Sequence, residues 1–161
     1  MTIAQVMNIK KFFHFIASRF CIISILTMTT IVFYGVIMRY IFKSAPFWSE
    51  EVSRYLLVWT SLLGASIAFE NREHVGVEFF TNKLPIKIRN KLIIIMDMLS
   101  LVFFLFVIFY GMKFALQGWK VVSPATGIKM FFPYLGIPMG SLFCFVQISF
   151  NLIQNIYNNK K

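Results

Sequence analysis

The chain has 161 residues, 58% of them hydrophobic and only 14% charged, with a net charge of +10. Soluble domains carry roughly 45–50% apolar and about 25% charged residues, so this composition, with twenty Phe, excludes an ordinary soluble fold. It also argues against nucleic-acid binding, because the basic residues sit in the gaps between apolar runs, where Lys and Arg meet lipid headgroups and set orientation.

Four apolar segments reach the roughly 20 residues that a spanning helix needs. The first is charge-free from Phe20 to Met38 and extends over about 12–42. Lys10 and Lys11 precede it, but the run is too long for the core of a signal peptide and no small-x-small cleavage site follows. It is therefore expected to be retained as a membrane helix. The second segment covers about 50–70; its charge-free part, Tyr55 to Phe69, is short, so Arg54 is expected at the interface, snorkelling outward. The third, about 86–112, contains one acid, Asp97, and begins after Pro85, a residue suited to a first helical turn. The fourth covers about 131–156 within a charge-free stretch.

The sequence thus predicts a single all-α membrane domain with four transmembrane helices. The connections are short. Between helices two and three, Val75, Val77, Phe79, Phe80 and Leu84 alternate with polar residues, which predicts a short segment in the headgroup plane. Ser123-Pro124-Ala125-Thr126-Gly127 is a turn signal between helices three and four. With the N-terminus inside, ten Lys and Arg fall on the cytoplasmic side and six on the other. That bias predicts both termini in the cytoplasm.

Few residues could carry chemistry. Cys21 and Cys144 lie inside apolar runs and form no CxxC pair, so they are read as packing residues. His14 and His74 fall near helix ends, not at the depth of a membrane haem ligand. No metal, cofactor or catalytic motif is present, and neither an enzyme activity nor a cofactor is expected. Asp97 lies about 7–8 Å inside the cytoplasmic edge, level with Arg19. An Asp97–Arg19 ion pair, or a pair with a basic group of a partner chain, is therefore expected.

A second cluster gathers at the opposite face: Arg39, Trp48, Ser49, Glu50, Glu51 and Arg54. Ser49 is placed to cap helix two, with Glu50 and Glu51 in its first turn against the positive end of the helix dipole. Glu50 and Arg54 have the favourable i, i+4 order. Such a cluster can tie helices one and two, or form a polar platform for a partner. Small residues four apart (Ser61 and Ala65, Gly64 and Ala68, Gly136 and Gly140) predict close helix contacts.

The stretch Phe47-Trp48-Ser49-Glu50-Glu51-Val52-Ser53-Arg54-Tyr55, then Trp59, Gly64-Ala65 and Arg72-Glu73-His74-Val75 with Glu78, resembles the small membrane (Q) subunit of tripartite ATP-independent periplasmic (TRAP) transporters. Arg39-Tyr40 and Ile137-Pro138-Met139-Gly140 fit the same pattern, so the resemblance covers about 39–140. It departs where Gly76-Val77 delays the acidic residue that usually follows His-Val. The resemblance implies a bacterial inner-membrane subunit serving sodium-driven uptake of an organic acid, a C4-dicarboxylate or a sialic acid. Its partners would be a large elevator-type membrane subunit, held stably, and a periplasmic substrate-binding protein, met transiently, with membrane lipids around it. Arg39, Trp48, Ser49, Glu50, Glu51, Arg54, Tyr55 and His74, with Arg19 and Asp97, are the expected structural or interface residues. A membrane anchor of another complex and a small stand-alone carrier are the competing readings.

Overall fold

A computed structural model describes residues 3–44, 46–71 and 85–158 of the chain. Its elements are α1 (Ile3–Tyr40), α2 (Phe47–Asn71), α3 (Ile86–Gln117), a 3-10 turn (Gly118–Lys120), the short α4 (Phe131–Tyr134) and α5 (Gly136–Asn158). Stretches of α1, α2, α3 and the α4–α5 pair are each long and apolar enough to cross a membrane. Helices are the natural outcome for such segments, because a backbone in hydrocarbon must satisfy its N–H and C=O groups within itself. The predicted interfacial segment and His74 lie outside the described residues.

Several boundaries differ from the sequence expectation for identifiable reasons. α1 ends at Tyr40 in a left-handed cap: Lys43 has φ 52° and the Ser44 N–H reaches back to the Met38 carbonyl at 3.1 Å. That six-residue return satisfies a carbonyl at the helix end. α2 begins at Phe47, so Ser49 is inside the first turn and does not cap it; its hydroxyl instead donates to the Pro46 carbonyl at 2.8 Å. α3 continues to Gln117, because the polar Lys113 and Gln117 interrupt the apolar run without interrupting the helix. The fourth segment is split at Leu135. Pro138 has no N–H to offer the Tyr134 carbonyl, and its ring crowds that carbonyl.

The helices pack in the order α1, α2, α5, α3, each mainly against its neighbour in that row. α2 and α5 are therefore central. At the α1–α2 seam, Ala17, Cys21 and Leu63 are buried, with Trp59, Ile67 and Phe143 packed against them. At the α5–α3 seam, Phe104, Cys144 and Ile148 are buried beside Ala65, Phe69, Leu101 and Phe145. Both cysteines are free and buried, their sulfurs near the Thr60 and Leu62 carbonyls.

Glycines set the α2–α5 distance. A Cβ on Gly140 would lie 2.5 Å from Leu62 Cβ, and one on Gly136 would lie 2.8 Å from the Trp59 ring. The Gly136–Gly140 pair thus forms an internal helix contact of the small-xxx-small kind. Gly64 has nothing near its missing Cβ, so the Gly64–Ala68 pair makes no comparable approach there.

Candidate functional site

Glu50 and Glu51 take partners other than those the helical spacing suggests. Arg39 at the end of α1 pairs with Glu50 of α2, and both side chains are exposed. This ion pair takes Glu50 away from Arg54, its i, i+4 neighbour. A solvated pair of this kind contributes about 0–1 kcal/mol. Trp48 stacks near Tyr34 of α1, ring centres 6.0 Å apart, and adds an apolar tie beside the ionic one.

Glu51 turns inward. It is buried, and its carboxylate accepts from the Ser123 hydroxyl at 2.5 Å and from the Tyr55 hydroxyl one turn along α2. The exposed Arg54 adds a favourable charge to the same carboxylate. The Tyr55 oxygen also lies 3.2 Å from the Met130 sulfur. Its single proton goes to the carboxylate, the stronger acceptor, which leaves Met130 as a packing contact.

Ser123 is the hub of this arrangement. Its oxygen accepts from the Thr126 N–H at 3.0 Å and the Thr126 hydroxyl at 2.8 Å while donating to Glu51, and the Ala125 N–H lies at a longer 3.3 Å. The chain then reverses through Gly127 at φ 69°, with Gly127 N–H bonded to Ser123 O and Ser123 N–H to Ile128 O. A bridge between Val122 and Lys129 closes the loop. One buried carboxylate on α2 thereby holds the whole α3–α4 connection. The sequence marked the turn, but nothing in it paired Ser123 with a residue 72 positions earlier.

The other expected site residues are dispersed. Asp97 does not pair with Arg19: its carboxylate accepts from the Asn155 amide of α5 at 3.2 Å, while the Arg19 guanidinium lies over the Phe15 ring at 5.2 Å. The reason is the helix order. Arg19 is on α1 and Asp97 on α3, at opposite ends of the row, whereas α5 lies directly against α3. Asn155 and its neighbour Asn151, whose amide donates to the Phe69 carbonyl, form a polar edge to the α5 seam that the sequence reading missed. The spacing of four between them was the available signal.

Among the described residues, four membrane-capable helices, tied at one end through Glu50 and Glu51 and built around a glycine contact, define a multi-pass helical membrane protein. Among the described residues no group of three His, Cys, Asp or Glu converges on a metal site. The family described as "Tripartite ATP-independent periplasmic transporters, DctQ component" matches residues 28–158. The chain belongs to this family of TRAP transporter small permease subunits. Two Haemophilus influenzae chains named as TRAP transporter small permease proteins are similar to it. One is 45% identical over 65 residues, 40% of each chain; the other is 25% identical over 149 residues, 92% of this chain and 90% of the relative. The isethionate TRAP transporter permease protein DctMQ of Oleidesulfovibrio alaskensis is 29% identical over 135 residues, 82% of this chain but 21% of that longer one.

Proposed function

We propose that this chain is the stationary small subunit of a sodium-driven TRAP transporter in the bacterial inner membrane, with both termini cytoplasmic. It binds a large permease subunit that carries an organic acid, a C4-dicarboxylate or a sialic acid, across the bilayer. The observation that carries the reading is the family match over most of the chain, joined to DctMQ, where a homologous segment makes up a fifth of one longer permease. A segment fused to the rest of a permease in one protein is a stable partner of it when the two are separate chains.

The architecture supports the division of labour. A carrier site near the bilayer midplane needs broken helices and convergent polar groups. Among the described residues the one break in a spanning segment, at Leu135, lies at the end of the bundle beside the Glu51 tie. An elevator needs a fixed element to move against, and two central helices locked by Gly136 and Gly140 suit that task. The Arg39–Glu50 pair and the loop held by Glu51 would form the outward platform, near where the periplasmic substrate-binding protein docks.

Affinity purification of the tagged chain in mild detergent tests the reading. A stoichiometric, much larger polytopic membrane protein is expected; recovery with a haem-bearing partner, or alone, would return the membrane-anchor or stand-alone readings. Glu51→Ala should lower uptake by the whole transporter while the chain still inserts. Unchanged uptake would remove the platform from the docking reading.

A further inference from the structure

The sequence carries no Asp or Glu after Asp97, yet Lys113, Lys120 and Lys129 all follow it at one end of the bundle. All three are exposed. The nearest carboxylate that reaches this connection, Glu51, is already occupied by Ser123 and Tyr55. Two of the lysines rest on aromatic rings. Lys113 Nζ is 4.5 Å from the centre of Phe109 and 5.8 Å from that of Tyr110, and Lys129 Nζ is 4.2 Å from the centre of Trp119. A ring face attracts an ammonium group but does not use its N–H donors fully, so both keep donors for an anion.

Below Lys113 runs an apolar stripe. Leu99, Phe103, Phe106 and Tyr110 follow one another at spacings of four, three and four, and all are exposed. They lie on one face of α3, and Phe106 and Tyr110 stack with ring centres 5.8 Å apart. From Leu99 to Lys113 the helix rises about 21 Å at 1.5 Å per residue. That matches half of a bilayer of about 40–45 Å including headgroups.

We propose that this face of α3 holds an anionic phospholipid. Its acyl chains lie along Leu99, Phe103, Phe106 and Tyr110, and its phosphate meets Lys113 with Lys120 and Lys129 around the headgroup. The charge arrangement favours lipid over protein as the occupant. A protein partner would have to place acidic groups at headgroup depth to match three lysines, whereas phosphates are there in every leaflet. An anionic headgroup is favoured over a zwitterionic one because three exposed lysines lie at this end, while the carboxylates there, Glu50 and Glu51, are engaged by Arg39 and by Ser123 and Tyr55.

The test uses the full chain with the partner it retains, reconstituted in nanodiscs of phosphatidylglycerol and phosphatidylcholine, then washed in detergent. Retained lipid is measured by mass spectrometry. The wild type should keep phosphatidylglycerol in excess of its bulk fraction. Lys113→Gln and Lys129→Gln should each cut that excess about fivefold, while Lys91→Gln at the other end of α3 should leave it unchanged. A photo-crosslinking residue at Phe106 should yield a lipid adduct. No enrichment in the wild type, enrichment insensitive to both lysine substitutions, or a protein adduct at Phe106 would overturn the assignment.

Discussion

Glu50 and Glu51 are adjacent in sequence and have opposite environments. Glu50 meets Arg39 in solvent, where a substitution should change stability little. Glu51 sits under a loop whose turn depends on Ser123. Ser123→Ala removes the acceptor of the Thr126 N–H group and one donor to the carboxylate. Amide hydrogen exchange should then quicken at Ala125 to Gly127 and stay unchanged in α5; unchanged exchange in the loop would show that the hub is not what orders it. A second residue-scale expectation concerns Lys43, an L-residue in the left-handed region. Glycine adopts that conformation without the penalty of about 1–2 kcal/mol that a Cβ brings. Lys43→Gly should therefore raise the unfolding temperature in detergent, offset in part by the greater freedom of glycine in the unfolded chain.

At the scale of elements, α5 organises the bundle because it touches both α2 and α3. Its contact with α2 depends on two missing side chains, so Gly140→Val should force α2 and α5 apart. Overpacking of this kind costs about 1–3 kcal/mol, read as a lower unfolding temperature in detergent and a weaker yield of folded chain. Gly64→Ala, which meets open space, should leave stability nearly unchanged. The small-residue spacing was visible in the sequence at both places. It could not distinguish them, because the spacing is a property of one helix and the approach is a property of two. The same limit applies to the polar cluster. Composition and helix ends placed Arg39, Glu50 and Glu51 together, but the i, i+4 rule assigned Glu50 to Arg54, and a long-range partner, Arg39, took its place.

At the scale of the molecule, Asp97 separates the subunit reading from the stand-alone carrier. Its carboxylate bonds Asn155 across the α3–α5 seam. An amide in its place can still accept that bond, so Asp97→Asn should keep the α3–α5 tie and leave uptake by the assembled transporter near wild type. A loss of uptake with folding intact would give Asp97 an ion-coupling part.

The four apolar runs, their lengths and the distribution of Lys and Arg needed only the sequence. Spanning is a matter of transfer from water to lipid, which each segment undergoes largely by its own composition. The family resemblance was likewise legible, because it rests on a contiguous motif around Phe47 to Tyr55. The tertiary structure decided the order of the helices and everything that depends on it: the separation of Arg19 from Asp97, the pairing of Asp97 with Asn155, and the hold of Glu51 on Ser123. Such pairs depend on which helix faces lie together in the folded bundle. That choice is made by packing at Gly136, Gly140 and the two apolar seams, and no local spacing rule contains it.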